Sequence, residues 1–188
     1  MRISILRIGS VDIKVLEKVR KSLCAVFPGA SCEILEFIMP VPEQTYNSSR
    51  QQYHSSNILA KMGGHVEKSG VDRILGVTEV DIYVPRLNFV FGEAECPGRS
   101  AIISFFRLKP EFYGYPTDRN LFAERSAKEA VHEIGHTLGL EHCRDSSCIM
   151  FFSNNIHMTD TKKLKFCERC WPKVLRSTGV FKAKERKS

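Results

Sequence analysis

Nothing in the 188 residues approaches the about 20 consecutive apolar positions that a membrane-spanning helix requires. The opening Met1-Arg2-Ile3-Ser4-Ile5-Leu6-Arg7-Ile8-Gly9 has a cation, but its apolar core is too short for a secretory signal and no small-residue cleavage site follows. It reads as a first strand. Internal repeats, linkers and low-complexity segments are missing too, apart from a basic end at residues 181–188. Residues 1–180 are accordingly expected to form one domain, with no membrane contact. Acid is in deficit: 21 Asp and Glu against 28 Lys and Arg give a net charge of +7. Part of that excess is the end segment, read as a solvated tail rather than a nucleic-acid arm. The seven cysteines are an odd number with no export signal before them, which points to a reducing compartment, the cytoplasm. Cys24, Cys32 and Cys96 stand in apolar or turn contexts and read as free thiols.

Residues 3–8 alternate apolar with polar or small side chains, as a strand does. Asp12 then precedes Val15, Leu16, Val19, Leu23 and Val26 at helical spacing, ended by Pro28-Gly29. Residues 32–39 form a second strand stopped by Pro40, so the opening is the strand–helix–strand unit that builds parallel sheets. A second helix is expected over residues 50–68, weakened by Gly63-Gly64. Strands follow at 73–78, 81–84, 87–91 and 101–108, the last two as a hairpin across the turn at 93–99. Residues 109–120 read as a loop, 121–138 as a long helix and 168–176 as a final one.

The long helix carries His132-Glu133-x-x-His136-x-x-Gly139-x-x-His142. His132 and His136 fall one turn apart on one face, so both rings reach a single ion. Glu133 is displaced enough to hold a metal-bound water instead of the metal. Gly139 ends the helix by taking the left-handed conformation at low cost. That turn brings His142 back, where straight helix would carry it roughly 9 Å away. Three neutral imidazoles leave a fourth position open, the arrangement of a catalytic zinc.

Cys143 follows directly, then Cys148 after four residues, Met150, and Cys167-x-x-Cys170 after a spacer of sixteen. Two thiol pairs separated by a loop suit a closed tetrahedral zinc, the second ion of the chain. A disulfide is the competing reading, and cytosolic structural disulfides are rare.

With its following methionine, the histidine motif resembles the metzincin clan of zinc metalloproteases. The combined histidine, cysteine and Cys-x-Met pattern is similar to the archaemetzincin family, its spacer one residue shorter. Gly76-Val77-Thr78, Asp81-Ile82-Tyr83, Pro85 and residues 87–92 extend the likeness over about residues 70–172. The resemblance implies an α/β, single-domain metzincin-like fold, with a mixed, mostly parallel sheet and an active-site helix, and a Cys₄ zinc in the C-terminal part. It implies Met150 as the methionine packed beneath the metal, no preceding pro-segment, and peptide hydrolysis in which Glu133 takes a proton from zinc-activated water and passes it to the leaving amine.

The expected partner is a peptide or protein substrate, and the chain is expected to act as a monomer. Metzincins pair an extended peptide with an edge strand; here residues 88–92 are the candidate edge, with Asn88 and Phe89 as substrate contacts, against the alternative of an ordinary hairpin strand. Tyr113 and Tyr115 could wall the cleft. Glu93, Glu95 or Glu111 could receive a free amine, so aminopeptidase and endopeptidase remain open. A catalytically silent zinc module contacting nucleic acid or a protein is the second reading. Glu133 argues against it, because a structural site gains nothing from a general base.

Overall fold

Strands buried on both faces are continuous apolar runs, and residues 74–77 and 101–103 are such runs, whereas residues 31–39 are largely exposed. The structure, a computed structural model, describes residues 1–179, with backbone alone over 65–69. The predicted tail at 181–188 lies outside the described residues. In chain order the elements are β1 (Arg2–Ile8), α1 (Ile13–Val26), β2 (Ser31–Met39), β3 (Tyr46–Asn47), β4 (Gln52–His54), α2 (Ser55–Ser69), β5 (Arg73–Thr78), β6 (Ile82–Tyr83), β7 (Gly92–Ala94), β8 (Ser100–Ser104), α3 (Arg119–Thr137), α4 (Ile156–Thr161) and α5 (Trp171–Ser177). The main sheet runs β2-β1-β5-β8-β7; all its neighbours are parallel except β7, an antiparallel edge strand. A smaller sheet, β3-β4-β6, lies beside it. No helix among the described residues is long and apolar enough to cross a membrane.

Side-chain alternation divides the core. Ile3, Ile5, Leu75, Val77, Ala101 and Ile103 face α1 and α3, packing on Val15, Leu16, Val19, Ala130 and Ile134. Leu6, Ile8, Ile74 and Ile102 face α2, against Ile58, Leu59 and Met62. α1 begins where the Asp12 carboxylate accepts from the N–H groups of Lys14 and Val15. Asp118 does the same for α3, through Asn120 and Leu121.

Four expected elements move. The second helix begins at Ser55, because Gln52–His54 pairs with Tyr46–Asn47 and Ile82–Tyr83 as a strand. Residues 87–91 are not a strand: Arg86 takes φ 74°, and the Asn88 carbonyl accepts from the Arg50 and Gln52 side chains. The hairpin edge is therefore β7, shifted to Gly92–Ala94. The strand expected over 101–108 ends at Ser104 and continues as a 3₁₀ turn, and the final helix starts at Trp171.

α3 is unusual for a helix with so many charges, since Arg125, Lys128, Glu129, His132 and Glu133 are all buried. α4, a short helix within a stretch the sequence left irregular, covers Arg125, Lys128 and Glu129. The Arg125 guanidinium donates to both oxygens of Asp160 at 2.7 Å, and Lys128 donates to the Asp160 carbonyl at 3.0 Å. The C-terminal third is thus attached to α3 through paired polar groups, which burial requires to be satisfied.

Candidate metal centre and cleft

α3 ends in a Schellman turn. Gly139, at φ 82°, donates to the His136 carbonyl at 2.8 Å, and Leu140 donates to the Gly135 carbonyl at 3.2 Å. The turn reverses the chain and brings the His142 ring over the helix. The Leu140 carbonyl it exposes sits 2.7 Å from His136 Nδ1, and the Ile149 carbonyl sits 2.8 Å from His132 Nδ1. A carbonyl only accepts, so both Nδ1 atoms carry the proton and both Nε2 atoms present bare lone pairs. Those lone pairs face each other at 3.0 Å, and His142 Nε2 lies 3.3 Å from His136 Nε2. Two acceptors so placed repel unless a cation lies among them. Tetrahedral zinc at 2.0–2.1 Å from each nitrogen would set neighbouring nitrogens about 3.3 Å apart, so the residues fit that ion. Burial, with Lys162 nearby, holds the His132 and His142 pKa values below the usual imidazole range. For His136 burial is again the main cause, and the value falls to about 4. All three shifts favour the neutral imidazole, the form that can ligate a metal.

Met150 is fully buried beneath this group. A Cβ at Gly135 would stand 2.5 Å from its sulfur, so the bare Cα of a mid-helix glycine makes room for the methionine. Gly92 plays the matching part above: a Cβ there would lie 2.6 Å from Glu133 Cγ and 2.7 Å from its Oε1. Burial, reinforced by the charge of Glu129, raises the Glu133 carboxyl well above the usual range, while Lys162 works the other way. Lys162 is wholly buried and stands 2.9 Å from Glu129 Oε1, which also accepts from Thr159 at 3.1 Å. Sequence reasoning had Gly92 only as the end of the candidate edge, without its contact to Glu133, and missed Gly135, Glu129 and Lys162. A glycine inside a helix was a visible signal for Gly135, since it costs about 1 kcal/mol relative to alanine. Glu129 lies one turn before Glu133, but nothing local announces its partner.

The second cluster begins one residue after His142. The sulfurs of Cys143, Cys148, Cys167 and Cys170 all lie within 4.8 Å of one another. Cys143 and Cys167 are 3.7 Å apart, close to the about 3.8 Å that tetrahedral Zn–S bonds of 2.3 Å would give. Burial works against ionisation at Cys167, but the N–H groups of Cys170 and Arg169 and the neighbouring thiols bring it down to about 7. Burial pushes the Cys148 and Cys170 thiols up. Backbone bonds join the two clusters: Cys143 donates to the Met150 carbonyl at 2.8 Å, and Ile149, whose carbonyl holds His132, donates to Lys165 at 2.9 Å.

The three histidines open onto a cleft of about 610 Å³ whose lining includes Asn88, Phe89, Glu93, Glu129 and Phe152. The Phe152 ring lies 4.7 Å from that of His142. Of the groups proposed from sequence to flank the cleft, Asn88, Phe89 and Glu93 line it. The others are elsewhere. Glu95 binds the N–H groups of Arg99 and Ser100 in its own turn; Glu111 is held by Thr117. Tyr113 donates to the Arg107 carbonyl, and Tyr115 borders a separate hollow with Pro110 and Arg119. Cys96 is exposed at the cleft wall. Cys32 is half-buried beside Cys24, and burial, with that neighbour, pushes its thiol up to about 12.

A family model described as peptidase family M54 matches residues 10–176. An archaemetzincin of Methanocaldococcus jannaschii is 45% identical over 181 residues, 96% of each chain. The crystal structure of archaemetzincin from Methanopyrus kandleri superposes with TM-score 0.82 at 33% identity, covering 94% of both chains. That from Archaeoglobus fulgidus, complexed with malonate, gives 0.79 at 40% identity over 92% of this chain and 99% of its own. With a mostly parallel sheet, a histidine-bearing helix and donor sets that fit zinc, the chain belongs to peptidase family M54, the archaemetzincins, and to the zinc metallopeptidases.

Proposed function

We propose that the chain hydrolyses peptide bonds with Glu133 as proton carrier and zinc held by His132, His136 and His142. A second, structural zinc would sit on Cys143, Cys148, Cys167 and Cys170. The observation carrying this reading is the meeting of three Nε2 atoms at 3.0 and 3.3 Å, those of His132 and His136 with bare lone pairs, beside a buried carboxylate. When bound, zinc acidifies water and polarises a carbonyl. Glu133 takes the proton from the attacking water at a carboxylate oxygen and returns it to the leaving amine nitrogen, so it ends each cycle as it began. A pKa raised above the usual carboxylate range makes Glu133 a stronger base than a free glutamate. Gly92 and Glu133 are in van der Waals contact, so a peptide laid along β7 brings its carbonyl next to the base. Phe89 supplies an apolar wall. The Asn88 side chain contacts the substrate, since its carbonyl already serves Arg50 and Gln52.

A peptide-library digest with native protein and Glu133→Ala tests the assignment. Cleavage should fall about 10³-fold in the variant, the usual contribution of a general base. The fragments will show whether bonds are cut internally or from the amino end. Cleavage that persists in Glu133→Ala would discard the assignment.

A further inference from the structure

The open edge of β7 has chemistry of its own. In an antiparallel pair, hydrogen-bonded positions alternate with non-bonded ones. Ser104 donates to the Phe91 carbonyl at 2.8 Å, Glu95 donates to Ser100 at 3.0 Å, and Glu93 stands opposite Ile102 between them. The bonded pairs are therefore 91 with 104, 93 with 102 and 95 with 100. Gly92 and Ala94 turn their N–H and C=O groups outward, to the cleft. Side chains alternate in the other sense: positions 92 and 94 face α3 and Glu133, and position 93 faces α2.

On that α2 face the Glu93 carboxylate is set in place. Ser55 Oγ donates to Oε2 at 2.5 Å and Ser56 Oγ to Oε1 at 2.7 Å, both from the first turn of α2, whose positive end favours an anion. Each carboxylate oxygen accepts two hydrogen bonds, so a lone pair on each stays free. The charged groups lining the cleft, histidines aside, are Glu93, Glu129 and Glu133; no Lys or Arg is among the described lining residues. Glu129 has Lys162 against it and Glu133 is assigned to proton transfer. Glu93 alone faces the cleft as a fixed negative charge with no cation paired to it among the described residues.

We propose that Glu93 is the specificity-determining carboxylate of the cleft and receives a positively charged group of the peptide. The inference rests on the peptidase reading. A strand that hydrogen-bonds Gly92 and Ala94 places its intervening residue directly opposite Glu93, with its side chain on the same α2 face. A lysine or arginine there meets the carboxylate. So does the α-ammonium of a peptide that begins at that residue.

The test uses zinc-loaded full chain and a cleaved peptide in which single lysines replace norleucine at each position flanking the cut, every peptide made with free and with acetylated N terminus. One lysine position should be preferred about fivefold in kcat/KM, mostly through KM, the size of one cross-strand charge pair. Glu93→Gln should bring that ratio to about one, and Glu93→Lys should turn it toward a glutamate peptide. A preference that follows the free N terminus, and is lost in Glu93→Gln, assigns the same carboxylate to the α-ammonium. Absence of any charge preference in the native protein, or a preference that survives Glu93→Gln, overturns the proposal. Anisotropy with zinc-loaded Glu133→Gln separates the two readings. Charge-selective binding without turnover by native protein keeps the Glu93 site and removes the peptidase; turnover without charge selectivity does the reverse.

Discussion

The two donor clusters are built on opposite plans. Two histidines stand on a nineteen-residue helix that is held by an apolar stripe and by Arg125 and Lys128 on Asp160, so its scaffold exists without metal. The cysteines stand on loops. Between the two pairs the backbone has one short helix, α4, and the sulfurs crowd to 3.7 Å with Cys148 and Cys170 buried. Four thiols this close fit the structural zinc proposed above. On that reading the fold places the first site, whereas the second site places part of the fold.

The sharpest way to break that contrast is to remove one ligand from each cluster. Cys167→Ser should lose one zinc per chain and lower the thermal midpoint by about 10 °C or more, because binding free energy at a structural site is folding free energy. His136→Ala should lose the other zinc and stay folded, with a clearly smaller shift. Metal content and thermal melts decide; equal losses of stability would erase the distinction. A gentler probe is Gly92→Ala, which leaves every ligand in place. Its Cβ would press on Glu133, and a displacement of about 1 Å at the base can cost about 10²-fold in kcat. Both zincs should remain, so unchanged turnover would mean that Glu133 is not held by this contact.

The smallest effect concerns acid and metal-free protein. An unfolded histidine titrates near 6.5 and His136 in the fold near 4, burial being the main cause. As pH falls below 6.5 the unfolded chain takes up protons that the folded chain refuses, so stability present above 6.5 is lost progressively toward 4. Between pH 5 and 7.5 the raised thiols of Cys148 and Cys170 stay protonated in both states and contribute nothing, while Cys167, down to about 7, adds a loss of stability on acidification in the same sense. The urea midpoint should therefore be lower at pH 5 than at pH 7.5, and His136→Ala should reduce the difference. An unchanged pH dependence in that variant would take the acid sensitivity away from the histidines.

Both clusters were legible in the sequence because their constraints are local: i, i+4 on a helix, a glycine at a helix end, thiols in close pairs. The parallel opening was legible for the same reason, with Asp12 marking the helix start. Pattern failed where the partner is distant. Gln52–His54 reads as helix, yet β6 lies far along the chain and claims it as a strand. Residues 87–91 have the alternation of a strand, but alternation reports burial and not pairing. Phe89 and Phe91 rings do meet at 5.2 Å, while the Leu87 and Asn88 carbonyls accept from the Arg50 side chain instead of a neighbouring strand. Lys162 is the extreme case. No neighbour in sequence says that this lysine ends at zero exposure against Glu129.

The carbonyls of Ile149 and Leu140 have a thermodynamic meaning beyond the choice of tautomer. Each fixes a ring that would otherwise rotate, so the entropy of aiming His132 and His136 is lost when the chain folds and not when the ion arrives. His142 is the most exposed of the three rings and leans on Phe152, with no hydrogen bond to its Nδ1 among the described residues. Most of the ordering left for metal binding therefore resides in that one ring. The site amounts to a rigid two-armed seat with a single movable arm, and the arm is the residue covalently joined to Cys143.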